Sequence, residues 1–279
     1  MKILNCLFVP AALMFSAVTT SCVASGTSNA KNSTLTSRTF ELPAFNAISN
    51  ETIVDIDVRV GDSQNVSLEA PTSHIDRFTL SVKDGKLVIA SNGNIRMEGG
   101  SKSYKMTIQM KELRSVDVSG SGDIDILESI SVPELSLSVN GSGDISAENI
   151  SVDKIMVKVN GSGDVDIAGT TSTAGLTVSG SGDIDASLSG IKHINAAIYG
   201  SGDITLSGNS AKGTFVSNGS GDFNATKMII QDLSATSNGS GDIDCYCKGA
   251  FSGSANGSGD ITVLGQKQKG KISRNVILK

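Results

Sequence analysis

The tetrapeptide Gly-Ser-Gly-Asp recurs eight times in this chain without a substitution, and its aspartates are Asp123, Asp144, Asp164, Asp183, Asp203, Asp222, Asp242 and Asp260. They follow one another at gaps of 21, 20, 19, 20, 19, 20 and 18 residues. A fixed period of that size marks a repeat architecture, in which one unit cannot bury its apolar face alone and must stack on its neighbours. Sixteen of the 31 glycines lie in the motif, two in each of eight copies, so glycine here is positional and not a flexible-linker bias.

Parity through the motif predicts what it does. Leu135, Leu137, Val139, Gly141, Gly143, Ile145 and Ala147 are all odd-numbered, and Ile155, Val157, Val159, Gly161, Gly163, Val165 and Ile167 repeat that phase. An alternation of period two, the strand period, therefore runs straight through Gly-Ser-Gly-Asp with both glycines in the apolar phase. Either the phase is kept, with the glycines inward and Ser and Asp outward, or a positive φ at one glycine breaks it. Both make the motif a corner. After each corner comes a short strand such as Val165-Asp166-Ile167, then a polar connection of variable length, then a longer strand back to the next motif. The connections, for example 168–173 and 207–210, must absorb the variation in spacing. The expected fold is all-β: a single-stranded, right-handed parallel β-helix with coils of about 20 residues, right-handed because parallel crossovers nearly always are.

Stacking turns sequence columns into ladders. The residue before the motif is Asn140, Asn160, Asn218, Asn238 or Asn256, with Ser119, Ser179 and Tyr199 in the other copies. Amides one strand apart can hydrogen-bond along the stack. Carboxylates about 4.8 Å apart repel by roughly 1 kcal/mol in water, and more when partly desolvated. The aspartate column must therefore be solvated, bonded to local N–H groups, or bridged by cations. Calcium is the cation to consider, since hard ions want several oxygens together. A second acidic column is incomplete, with Asp125, Asp166, Asp185 and Asp244 interrupted by Ser146, Thr205, Asn224 and Thr262.

Composition removes several function classes. A net charge of −5 offers no basic footprint for nucleic acid, and two histidines, His74 and His193, leave little for acid–base or metal chemistry. Tyr104, Tyr199 and Tyr246 are the only tyrosines and there is no Trp, so platforms for stacking sugars are few. Paired carboxylates suggest polysaccharide chemistry, but they recur identically along the repeat, whereas an active site is one asymmetric constellation. No catalytic residue is assigned. Cys245 and Cys247, two apart on a strand, share a face, which disfavours a mutual disulfide, and they read as buried small hydrophobes.

Residues 1–22 read as an export signal, with Lys2 as the n-region, Ile3 to Val18 as the apolar stretch, and Thr19-Thr20-Ser21 leading into Cys22. Small residues before a cysteine resemble a bacterial lipoprotein signal, although Thr19 stands where that signal usually carries Leu. An ordinary secretory signal with an incidental cysteine is the alternative. Lipidation at Cys22 would give a membrane anchor. Residues 23–37 are Ser/Thr/Asn-rich and read as a flexible tether. Residues 38–265 form the β-helix domain, whose first part, with the larger Phe40, Phe45 and Phe78, is expected to be the opening coils of the same solenoid with a bulkier cap. Lys83-Asp84-Gly85-Lys86 is expected as a hairpin-like or corner turn. Residues 266–279, headed by Gln266-Lys267-Gln268-Lys269-Gly270-Lys271, are expected as a C-terminal cap.

Repeated Gly-Ser-Gly-Asp-Ile, led by Leu113-Arg114-Ser115-Val116-Asp117-Val118, with Phe45-Asn46-Ala47-Ile48 and Val82-Lys83-Asp84-Gly85-Lys86-Leu87-Val88-Ile89 upstream, resembles the putative auto-transporter adhesin, head GIN domain family over roughly residues 44–265. The resemblance implies a right-handed β-helical domain of the kind found on exported bacterial lipoproteins. It supplies no catalytic residue, and "adhesin" there is a label by analogy. The expectation is a non-catalytic lipoprotein of the cell envelope, anchored in the outer membrane, whose β-helix is an interaction, adhesin-like or spacer surface for an envelope glycan or protein. A polysaccharide-binding or polysaccharide-processing protein and a Ca-stabilised structural rod are the alternatives.

Overall fold

The structure is a computed structural model that describes residues 34–93, 95, 104–265 and 276–279. The expected signal, Cys22, residues 23–33 of the tether and residues 266–275 of the C-terminal cap lie outside the described residues.

From Ser115 onward the chain is a parallel β-solenoid. Strands β8 (Ser115–Val118), β9 (Ile124–Ile126), β10 (Ile130–Val139), β11 (Ile145–Val159), β12 (Val165–Val178), β13 (Ile184–Ile198), β14 (Ile204–Ser217), β15 (Phe223–Ser237), β16 (Ile243–Cys247), β17 (Phe251–Ala255), β18 (Ile261–Leu264) and β19 (Val276–Leu278) each pair in parallel with the coil before and the coil after, as far as the described residues run. Like residues superpose. Ile124, Ile145, Val165, Ile184, Ile204, Phe223, Ile243 and Ile261 form one buried column, and Val118, Val139, Val159, Val178, Ile198 and Ser217 form another. Each residue covers its counterpart about 4.8 Å away, so the thin Ile/Val/Leu/Ala core is continuous along the rod although no single coil could bury it. Phe215 stacks on Phe223, with ring centroids 5.3 Å apart, and fits because Ala196 and Ala235 are its neighbours in the adjoining coils.

The variation in spacing falls where it was expected. Register shifts between coils occur at Ala147/Ile150, Thr170/Thr173, Leu188/Ile191, Thr205/Ser207 and Ala225/Ile229, all between the motif and the longer strand that returns to the next motif. The motif corner stays in register through all eight copies.

The first third of the chain is a cap whose order in space is not its order in sequence. The strands are β1 (Leu35–Phe40), β2 (Ala47–Asn50), β3 (Asp55–Val60), β4 (Asn65–Pro71), β5 (Phe78–Lys83), β6 (Lys86–Ser91) and β7 (Lys105–Met110). Strands β2 and β3 form the first coil, and β8 and β9 stack on one side of it. On its other side lie β6 and β7, which come later in sequence than the coil they cover. Beyond them are β5 and β4 in antiparallel pairing, with β1 antiparallel to β4. The expectation of simple opening coils is therefore corrected. One coil is laid down, the chain turns outward to cap it, then crosses back and resumes on the opposite side. Antiparallel pairing is what a short connection allows: Asp84 (φ 51) and Gly85 (φ 74) make a two-residue hairpin turn between β5 and β6. Phe45, Phe78, Leu68, Met106 and Tyr104 fill the end of the core that stacking alone would leave open.

The tether is also shorter than its composition suggested. Leu35, Thr36 and Ser37 belong to β1, where they pair with Pro71, Ala70 and Glu69. Alternating half-buried Thr36, Arg38 and Phe40 give that strand an inward face that a Ser/Thr count conceals.

Candidate functional site

The motif corner is built from backbone. In successive coils the N–H of the motif serine reaches back to the carbonyl oxygen of the preceding coil's first glycine, and that of the second glycine joins it at Gly143, Gly163, Gly182, Gly202 and Gly259. Ser142 and Gly143 donate to Gly120 O at 3.0 and 3.3 Å, and Ser162 and Gly163 to Gly141 O at 2.9 and 3.4 Å. None of the sixteen motif glycines has a positive φ, so the apolar phase is kept: the second glycine is buried, the first half-buried, and Ser and Asp are exposed. Why glycine is needed differs from the expected sharp bend toward the axis. A Cβ on any motif glycine would lie 1.8–2.3 Å from a backbone oxygen of the preceding coil. The glycines permit close backbone approach between coils.

The aspartate ladder rests on this corner. Each motif aspartate sends its backbone N–H to the carboxylate Oδ1 of the aspartate one coil earlier: Asp144 to Asp123 at 2.9 Å, Asp164 to Asp144 and Asp183 to Asp164 at 2.8 Å, Asp203 to Asp183, Asp222 to Asp203 and Asp242 to Asp222 at 2.7 Å, and Asp260 to Asp242 at 2.8 Å. A bond from a neutral donor to a charged acceptor is worth about 1.5–3 kcal/mol. The repulsion between neighbours in water is about 1 kcal/mol, and exposure weakens both, so the bond is the larger effect. Of the three ways to relieve the repulsion, the structure displays local N–H groups.

The ladder has a ninth member. Asp123 N donates to Asp55 Oδ1 at 3.2 Å, and the register Ile56–Ile124 makes Thr52-Ile53-Val54-Asp55 the counterpart of Gly-Ser-Gly-Asp. Thr52 and Val54 stand where every later coil needs glycine, because among the described residues no earlier corner lies against their outer side. The sequence signal was Asp55-Ile56-Asp57, which matches Asp123-Ile124-Asp125. Absence of the glycines hid it.

Two positions on, the incomplete acidic column runs Asp57, Asp125, Ser146, Asp166, Asp185, Thr205, Asn224, Asp244 and Thr262 in unbroken register. Burial, then carboxylates at neighbouring positions, push the carboxyls of Asp125 and Asp166 above the usual range; Asp55 is raised first by burial, against the lowering effect of its bond from Asp123. Lys105, 2.9 Å from Asp57, is a cation at the capped end of this stripe. Among the described residues no group of three or more His, Cys, Asp or Glu is placed to hold a metal ion.

On the other flank of the corner the strands entering the motif carry a largely uncharged face. Ser136, Met156, Gly175, Asn195, Thr214, Ser234 and Ser252 form one outward column. The expected amide ladder forms at its edge: Asn160 donates to Asn140 at 2.8 Å, Asn238 to Asn218 at 2.7 Å and Asn256 to Asn238 at 2.8 Å. Tyr199, 57% exposed, interrupts it. The remaining candidates lie apart from the corner. His193 is exposed on β13, and His74 is buried with Nδ1 2.6 Å from the hydroxyl of buried Tyr104. Cys245 and Cys247 are buried on β16, and burial pushes the Cys245 thiol up to about 12.

Comparison with known proteins agrees with this architecture. The family model described as "Putative auto-transporter adhesin, head GIN domain" matches residues 44–189 and 188–266. Three crystal structures share the fold. A putative adhesin from Bacteroides fragilis is 23% identical with a TM-score of 0.66, covering 85% of this chain and 100% of its own. A putative adhesin from Parabacteroides merdae is 18% identical with a TM-score of 0.69, covering 82% and 95%. A protein described as a putative lipid binding protein from Parabacteroides distasonis is 21% identical with a TM-score of 0.62, covering 88% and 94%. No curated protein matches the chain.

Proposed function

The chain belongs to that family, and we propose that it is a non-catalytic, exported envelope protein whose solenoid serves as an interaction surface. One observation carries the reading: nine carboxylates, each one strand spacing from the next, stand in an unbroken column along the rod. Groups repeated about every 4.8 Å suit a partner that is itself repetitive, since many weak contacts add through effective concentration. An envelope glycan with cationic or hydrogen-bond-donating groups, or an envelope protein, is such a partner.

Cys22 is the lipid attachment in this reading, in the outer membrane. Thirteen residue steps lead from it to Leu35, a reach of at most about 45 Å, and β1 lies at the capped end of the rod. The repeats then project away from the anchor. Replacing Cys22 by Ala should move the protein from the membrane to the soluble fraction; unchanged fractionation would contradict the anchor. For the surface, immobilised protein should retain a glycan or protein from envelope extract. Retention should weaken when Asp164, Asp183 and Asp203 are changed together to Asn, which keeps each Oδ1 acceptor and removes the charge. Equal retention by that variant removes the acidic column from the interface.

A further inference from the structure

We propose that Asn218–Gly219 is a site of spontaneous, structure-directed deamidation, selected from the five Asn-Gly pairs of the repeat by its place at the start of an amide ladder. The chemistry needs only water. The Gly219 backbone nitrogen gives up its proton and bonds to Asn218 Cγ, the Cγ–Nδ2 bond breaks, and ammonia leaves. Water then opens the resulting succinimide at either carbonyl to give aspartate or isoaspartate. Glycine after asparagine favours ring closure because no side chain hinders the attacking nitrogen. The five pairs of the repeat, at Asn140, Asn160, Asn218, Asn238 and Asn256, share that advantage, so any difference among them comes from structure; a sixth Asn-Gly pair, Asn92–Gly93, lies outside the repeats and is mapped beside them.

Three features decide it. The nucleophile must be unengaged: Gly141 N and Gly161 N donate to Val118 O and Val139 O at 3.1 and 3.3 Å, whereas Gly219 N makes no hydrogen bond among the described residues. The amide must be able to turn and leave. Asn238 and Asn256 have Nδ2 tied to the ladder, and Asn140 has Nδ2 on Ser138 Oγ at 3.2 Å, but Asn218 Nδ2 has no hydrogen-bond acceptor among the described residues. The reason is Tyr199, which occupies the previous coil's position, where an Asn oxygen would have accepted it. Finally, the carbonyl must be activated. Asn238 Nδ2 donates to Asn218 Oδ1 at 2.7 Å, aimed at the oxygen on which negative charge develops as nitrogen attacks. Among the five repeat pairs only Asn218 combines the three. It is exposed and lies just past the end of β14, so water reaches it. The product sets a new carboxylate at the edge of the uncharged face, four residues before Asp222.

The test is incubation of the full chain at 37 °C in mildly alkaline buffer, followed by peptide mapping and isoaspartate labelling, beside the same chain in denaturant. In denaturant the five pairs should convert at similar rates. In the folded protein Asn218 should convert several-fold faster than Asn140 and Asn160, and ahead of Asn238 and Asn256. The variant Tyr199→Asn, which places the column's commonest residue there, should slow conversion at Asn218 and move the labile pair one coil back, to the substituted position and Gly200. Even conversion across the five pairs in the folded protein, no conversion, or an Asn218 rate indifferent to Tyr199→Asn would overturn the proposal.

Discussion

Gly182→Ala puts the close-approach account of the repeat to its hardest test. The added Cβ would sit 2.0 Å from Gly163 O and 2.8 Å from Gly163 C, where ordinary contact begins at 3.4 Å. Both are backbone atoms, so no side chain can swing aside, and the two coils must part by more than an ångström at that corner. Three bonds are then lost or stretched: Ser181 N and Gly182 N to Gly161 O, at 2.9 and 3.3 Å, and Asp183 N to Asp164 Oδ1, at 2.8 Å. At about 1 kcal/mol each they come to about 3 kcal/mol. Overpacking strain adds about 1–3 kcal/mol, so the expected loss is about 4–6 kcal/mol, large against ordinary domain stabilities. Gly61→Ala is the control. Its nearest neighbour to a new Cβ is Gln109 Nε2 at 3.6 Å and its φ is not positive, so it should be neutral or slightly stabilising through reduced freedom of the unfolded chain. Urea unfolding followed by circular dichroism measures both. If Gly182→Ala costs no more than Gly61→Ala, the glycines are not there to let backbones meet, and the reasoning fails.

Three further outcomes follow from the ladders. Asp183→Ala removes the acceptor for Asp203 N and should cost about 1 kcal/mol in a urea melt, because the exposed N–H can turn to water, while Asp183→Asn should cost less; the reverse order would contradict the acceptor role. Asp166 has its carboxyl raised by burial, so the folded state binds its proton more readily than the unfolded state. Its ionised form therefore opposes folding, and stability falls as pH rises from the ordinary carboxylate range, about 4, to the raised value. Asp166→Asn should raise the melting temperature at pH 7, with the gain fading as pH falls from the raised value to about 4 and shrinking in high salt; an unchanged difference across pH would be the wrong result. Millimolar Ca²⁺ and chelator should give the same melting temperature, since backbone N–H groups already serve the column; a calcium-dependent rise of several degrees would revive the Ca-stabilised rod.

Much of the candidate surface could be read from residues alone. Asp123 to Asp260 and the asparagines from Asn140 to Asn256 sit in columns because a period near twenty, once stacked, carries each residue onto its own counterpart. Asp55 could not be read so, because it stands 68 positions before Asp123, and the cap insertion in that interval breaks the period.

The repeat spacing and its parity determine a stacked corner with Ser and Asp outward, because side-chain alternation is local and survives any arrangement of the coils. Tertiary structure alone decided three things. The cap folds back over the first coil, since β6 and β7 find β2 and β3 through non-local pairing that no window of sequence contains. Glycine is required by the carbonyl of the coil beneath and not by a turn's φ, and at the first coil, where no corner lies beneath among the described residues, Thr52 and Val54 suffice. Asn218 Nδ2 lacks the acceptor that its ladder counterparts have because its neighbour one strand away is Tyr199, 19 residues earlier in the chain.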